Sequence, residues 1–151
     1  METLSTNRYS GDFPRTLDEK NRVTVPSCWR SEDVPSLHAL VKKSEDGDYV
    51  ILMPQAEFDK LGNSVYSDET MSPAEQQRFR RKFFAKSREC PIDKSGRVLL
   101  PQEMTAIFGD DRDVFLLGVG ARIEIWNAAK WSALSDDDDD DFHATATLKG
   151  L

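Results

Sequence analysis

The chain has 151 residues, 38% of them hydrophobic and 31% charged, with a net charge of −7, an ordinary balance for a globular protein. It holds no apolar run long enough to span a membrane, and its start, METLSTNRYSG, lacks the apolar stretch and positive cluster of a secretion signal. Cys28 and Cys90 sit in no Cys-x-x-Cys or Cys/His spacing, so a reduced cytoplasmic protein with no metal and no cofactor is expected.

The first predicted element is a hairpin over FPRTLDEKNRVTV, two short runs around a polar turn at Asp18–Asn21. Pro26 stops its second strand. Two strands follow near 38–43 and 48–53, then a short helix over 54–61 with Gly62 in position to cap it. SPAE at 72–75 is a capping box with Pro at the first helical position, which predicts a helix to about residue 87. Phe79, Phe83 and Phe84 make its apolar side, and Arg78, Arg81, Lys82 and Lys86 a basic face. That face is either a solvated side of a linker helix or a contact surface for phosphate or another subunit.

A second hairpin follows at IDKSGRVLLP (92–101), then a helix over QEMTAIFG stopped by Gly109. Strands are predicted at 113–118 and 121–126, with GVGAR (118–122) as the turn between them and a closing helix over 127–134. Residues 136–141 are six consecutive Asp. From Ser135 onward six Asp stand against Lys149, a net −5. Residues 1–134 then hold 19 basic and 21 acidic groups, net −2, so the main body can still carry a basic surface. The tail reads as low-complexity, with too little apolar surface to fold. It either solvates the protein or acts as a polyanion competing with DNA for basic surface.

The chain thus says the same thing twice. LDEKNRVTVP (17–26) and IDKSGRVLLP (92–101) align at an offset of 75, and YVILMPQAEFDKL (49–61) aligns with RIEIWNAAKWSAL (122–134) at an offset of 73. Two ordered matches indicate a duplicated unit, and two copies make a pseudo-symmetric pair rather than a solenoid. The expected units are 12–57 and 87–130, joined by 58–86 and followed by a disordered tail at 135–151. Asn21 and Gly96 occupy the same turn position, where both residue types accept left-handed backbone. Asp18 and Asp93 recur at the starts of the turns. They could form a carboxylate pair for acid–base work, but the capping role of Asp in tight turns is the favoured reading.

No catalytic constellation accompanies these motifs. His38 and His143 have no Cys/Asp/Glu ligand pattern beside them, and no phosphate-binding glycine loop is present. Cys28 reads as a buried structural thiol, and its distance from Cys90 is left open. No enzyme and no small-molecule substrate is expected. The run Val114, Phe115, Leu116, Leu117 exceeds what one face of a small barrel buries. Together with the linker-helix phenylalanines it suggests an oligomer.

LDEKNRVTVPSCWR, IDKSGRVLLP and the closing IEIWNAAKW, across residues 9–134, resemble the MraZ family. These are bacterial transcriptional regulators with two SpoVT/AbrB-type modules. The resemblance implies a mainly β fold with short helices (α+β), two AbrB-like swapped-hairpin β-barrel modules interleaved within one chain. It implies a ring-shaped homo-oligomer that binds double-stranded DNA upstream of the division and cell-wall gene cluster, its own promoter included. Repression there, in the cytoplasm at the nucleoid, is the implied role. The DNA-contacting positions of the D-x-K-G-R pattern fall on Lys20, Arg22 and Arg97, with Arg15 in the same basic set. Ser95 stands at the family's second Lys position, and Lys94 lies one residue earlier. Asn21 replaces the usual Gly, and the six-Asp tail lies outside the pattern. An antitoxin-like protein-binding module is the alternative, since AbrB-type folds serve there too. The duplication and the short arm speak against it.

Overall fold

The computed structural model describes residues 7–151. Its strands are β1 (Tyr9–Thr16), β2 (Arg22–Thr24), β3 (Ser36–Lys42), β4 (Tyr49–Met53), β5 (Arg88–Pro91), β6 (Arg97–Leu99), β7 (Asp113–Gly120) and β8 (Ile123–Asn127). The helices are α1 (Gln55–Asn63), α2 (Pro73–Lys86), α3 (Gln102–Thr105) and α4 (Ala128–Leu148). The fold is mainly β with short helices, as expected.

The duplicated units interleave. A six-stranded antiparallel sheet runs in the order β1-β7-β8-β4-β3-β5, and β2 pairs with β6 in a separate two-stranded ribbon. Exchanging the two units reverses the sheet order onto itself. β1 pairs with β7 of the second unit, and β5 pairs with β3 of the first. Each unit therefore lends its first strand to the other and closes the ribbon with its second.

This corrects the simple hairpin expected at each repeat. Around each turn the arms close only a short loop: Asp18 N–H donates to the Arg22 carbonyl at 2.9 Å, and Asp93 N–H to the Arg97 carbonyl at 2.9 Å. In the second unit one further bridge pairs Ile92 with Val98; beyond that, the arms part to different partners. Alternation explains the choice. Val23 and Val98, central in the ribbon and 1% and 0% exposed, face one shared core, and neither unit alone supplies enough apolar surface to cover them.

That core joins both units. Val23, Val25, Val98 and Leu100 from the ribbon meet Leu37, Val50, Leu52, Val114, Leu116, Ile123 and Ile125 from the sheet. Each fully buried aliphatic side chain contributes about 1.5–3 kcal/mol. At the β1 edge Trp29 receives Tyr9 and Phe13 edge-on, at centroid distances of 5.8 and 5.1 Å. The opposite sheet face carries a smaller cluster of Ile51, Met53, Phe58 and Phe83, which seats α1 and α2. His38 belongs here as a structural residue, stacked on Phe58 at 4.1 Å with its Nε2 2.7 Å from Gln55 Oε1.

Four expectations change. Gly62 does not cap α1 but lies inside it, buried, where a Cβ would stand 2.5 Å from the Phe84 ring. Its lack of a side chain admits that ring. Cys28 is exposed and Cys90 is the buried thiol, and both are free. Burial pushes the Cys90 thiol up to about 11. The run at 114–117 is mostly absorbed within the chain, because Val114 and Leu116 face the core and Leu117 is covered on the other face, where Phe115 stays half-buried.

The tail is the fourth change. It is not without structure: α4 continues through all six Asp to Leu148. Asn127 caps the start by accepting the Lys130 N–H at 3.0 Å. At the end, Leu151 N–H donates to Ala146 at 2.9 Å and Gly150 N–H to Thr147 at 3.2 Å, with Gly150 at φ 86°, a Schellman stop. A helix satisfies its backbone within its own segment, so it can extend from a docked first turn without a core. Low apolar content therefore did not decide the matter.

Candidate nucleic-acid interface

The ribbon places the repeated arginines together. β2 and β6 run antiparallel with Val23 opposite Val98, Arg22 opposite Leu99 and Thr24 opposite Arg97. Because Val23 and Val98 point inward, Arg22, Thr24, Arg97 and Leu99 share the outward face. Arg22 and Arg97 sit on a diagonal, roughly 7–8 Å apart at the backbone. Leu99 between them is 56% exposed.

Each arginine is aimed by its turn. Asp18 Oδ1 accepts the Lys20 and Arg22 amides at 2.9 and 2.8 Å, and its Oδ2 accepts Arg22 Nε at 2.7 Å. Asp93 repeats the pattern, with Ser95 and Arg97 amides both at 2.9 Å and Arg97 Nε at 3.1 Å. The acids are turn caps, not a catalytic pair. Asn21 and Gly96 occupy left-handed backbone at φ 65° and 81°, the conformation that lets the chain reverse at these points. Both ion pairs use Nε, which leaves the two terminal nitrogens of each guanidinium for an outside acceptor.

The structure also pairs the turns across units. Val25 N–H donates to the Gly96 carbonyl at 2.8 Å, and Leu100 N–H to the Asn21 carbonyl at 2.9 Å. Arg112 reaches from the second unit to the first turn, where its Nη2 donates to the Asp18 carbonyl and to Asn21 Oδ1, the latter at 2.8 Å. On the other side a Cβ at Gly96 would meet Arg30 Nη1 at 2.2 Å, so the Arg30 guanidinium lies over that turn. Sequence reasoning missed both arginines. Neither belongs to the repeated motif, and their proximity follows from the strand exchange.

Of the other expected residues, Arg15 joins the group through Nε to the Thr24 carbonyl at 3.1 Å, while stacking over Phe13 at 5.5 Å. Lys20 and Lys94 are exposed, and neither side chain has a hydrogen bond or ion pair among the described residues. Ser95 stands where Lys20 stands in the first turn, as its amide contact to Asp93 shows. Lys94 thus occupies the position of Glu19, one residue toward the start.

The carboxyl groups hold these turns in a pH-dependent way. Asp18 lies at about 2, below the usual 3.8, mainly because it accepts the Arg22 amide, with the Arg22 side chain and the Lys20 amide adding to the effect. Asp93 is lowered for the same reasons. A depressed value means the ionised carboxylate supports the fold above about 4, and that support is lost as pH falls toward 2. In an NMR titration the Lys20 and Arg22 amide shifts are expected to move with a midpoint near 2, and Asp18→Asn to abolish that movement. A midpoint at or above 3.8 counts against the capping geometry.

Among the described residues there is no grouping of His, Cys, Asp and Glu that could hold a metal ion, and no helix is long and apolar enough to cross a membrane. Comparison with known proteins gives one consistent family. The family model described as "MraZ protein, putative antitoxin-like" matches residues 83–150. "Transcriptional regulator MraZ" of Syntrophomonas wolfei is 34% identical, over 82% of this chain and 84% of its own. The protein of that name from Carboxydothermus hydrogenoformans is 32% identical over the same shares. That from Chromobacterium violaceum is 30% identical over 81% of this chain and 82% of its own.

Proposed function

The chain belongs to the MraZ family, and we propose that it is a sequence-specific DNA-binding transcriptional regulator whose reading head is the β2–β6 ribbon. The family is one of transcriptional regulators, a class without enzymatic chemistry. The observation that carries the reading is the outward face of the ribbon, where Arg22 and Arg97 stand on a diagonal with their Nε atoms tied to Asp18 and Asp93. A two-stranded ribbon fits the major groove of B-DNA, where Arg forks pair with guanine edges and apolar groups meet thymine methyls. Lys20, Lys94 and Arg15 around it supply phosphate contacts, which set register rather than sequence.

In this reading the target is the promoter of the division and cell-wall gene cluster, including the protein's own, and the effect is repression. The protein acts in the cytoplasm at the nucleoid. Residues 12–57 and 87–130 act as paired modules around one ribbon. One ribbon makes few contacts and binds weakly, so a ring of subunits on neighbouring sites multiplies a modest affinity. An antitoxin-type module is not favoured, since both units are fully used in building the ribbon.

The test is a gel shift on DNA taken from just upstream of the protein's own gene, against unrelated DNA of equal length. A preference of at least about 1,000-fold at physiological salt is expected of a specific regulator. Equal binding to both DNAs, or none, overturns the reading.

A further inference from the structure

The basic face of α2 has no role in the ribbon. Arg78, Lys82 and Lys86 are spaced four apart and form one ridge along the helix. All three are exposed, as is Arg81, and none of the four has a hydrogen bond or ion pair among the described residues. Arg80 is the exception on this helix. It turns inward, stacks over Tyr66 and Phe84 at 4.6 and 4.9 Å, and donates to the Gly62 carbonyl at 2.6 Å. The ridge borders a cleft of about 360 Å³ floored by Leu40, Val41, Phe79 and Phe83. Phe79 remains 38% exposed. An apolar floor with a cationic wall calls for an amphipathic occupant that carries negative charge.

The chain contains one. The distal half of α4 presents Asp136–Asp141, all exposed and without hydrogen bonds or ion pairs from their side chains among the described residues. Phe142 follows them and is 56% exposed. On a helix Phe142 lies one turn beyond Asp138 and Asp139 on the same face, the arrangement of an apolar anchor with acids beside it. Consecutive Asp residues also repel one another and have weak helix propensity, so this half of α4 gains from a cationic neighbour.

Its own chain does not provide that neighbour. The start of α4 is tied to β7 and β8, and the 21-residue helix is about 31 Å long. A straight helix docked at its first turn carries its last turns away from the body. Placing Phe142 in the cleft of the same chain would require α4 to break.

We infer that the distal half of α4 docks on the α2 cleft of a second copy of this chain. Phe142 enters between Phe79 and the β3 side chains, and Asp138 and Asp139 face Lys82 and Lys86. The contact is heterologous: each copy offers a tail and receives one. Such contacts close into a ring when the rotation permits and extend into a filament otherwise. The inference concerns assembly and leaves the ribbon uncovered; it supplies the neighbouring subunits that the DNA reading invokes, and its test is read without DNA.

The test uses the full chain without DNA, with sedimentation velocity over a range of concentrations at 50 and 500 mM salt. The wild type is expected to assemble at low salt and to loosen at high salt. Lys82→Glu with Lys86→Glu should raise the assembly midpoint at least tenfold, as should Asp138→Lys with Asp139→Lys. These positions are exposed, so circular dichroism should be unchanged. Mixing the two double variants should restore assembly, because each then meets an opposite charge. A wild type that stays monomeric, double variants that assemble like the wild type, or a mixture that fails to recover each overturns the docking. So does a chain ending at Ser135 that assembles normally but binds DNA more tightly, which would assign the acidic helix to competition with DNA instead.

Discussion

Gly118→Val is expected to lower the melting temperature by about 5–10 °C, more than any single change on the protein's surface. Gly118 lies in β7 opposite Gly11 of β1. A Cβ built at Gly118 would stand 2.4 Å from the Ser10 nitrogen and 2.5 Å from the Tyr9 carbonyl carbon. Those are backbone atoms of the neighbouring strand and cannot rotate aside, so β1 itself must move. β1 is the strand the first unit lends to the second, and it carries Tyr9 and Phe13 onto Trp29. Overpacking of this kind costs about 1–3 kcal/mol, occasionally more, and in a chain of this size each kcal/mol shifts the midpoint by about 2–4 °C. Gly118→Ala grades the same clash, since it carries the Cβ without the branched methyls, and it should cost less than Gly118→Val while still lowering the midpoint. A Gly118→Val protein that melts at the wild-type temperature in calorimetry would show that the close approach of β1 at Gly118 is not a determinant of stability.

The strand exchange also marks where sequence reasoning stopped. The duplication was legible because its turns have narrow chemical demands. Asp must cap two amides, and the residue three positions on must accept left-handed backbone, so LDEKNR and IDKSGR betray each other. In the structure, alternation along the ribbon turns Val23 and Val98 inward. Periodicity says nothing, however, about which strand is a partner. β1 and β5 read as arms of their own hairpins, although each runs into its turn while paired with a strand of the other unit. Arg112 and Arg30 were invisible for the same reason, since they reach the turns only once the units have crossed. Gly118 read as the beginning of a turn, and only the neighbouring backbone explains why it has no side chain. The closing helix was found at its start, where Asn127 and Trp131 are informative. Its acidic extension was not, because a burial argument cannot see a helix that needs no core.

Arg22→Ala is expected to abolish specific DNA binding while leaving the fold intact. The side chain's ion pair with Asp18 is partly exposed, and a pair of that kind contributes about 0–1 kcal/mol. Melting and circular dichroism should therefore change little. The pair matters for aim. With Nε held at 2.7 Å by Asp18, the guanidinium plane is fixed and its two terminal nitrogens point away from the turn, pre-set for a bidentate acceptor. Loss of one such base contact costs about 1–3 kcal/mol, or roughly 5- to 150-fold in affinity. In an assembly with several ribbons on one DNA the losses multiply, and specific binding should fall below detection. Arg97→Ala should weaken binding similarly or somewhat less, because its Nε contact is longer at 3.1 Å. Arg22→Lys separates charge from geometry. It keeps the cation but loses both the Asp18 anchor and the fork, so it should retain non-specific binding and lose the preference for the operator. If Arg22 also meets a phosphate, the alanine variant should show a salt slope shallower by about 0.9 per lost contact. A folded Arg22→Ala protein with wild-type affinity and slope on the operator would mean that DNA is read elsewhere. The basic side of α2 would then be the next surface to test, through Arg81→Glu, which leaves Lys82 and Lys86 in place.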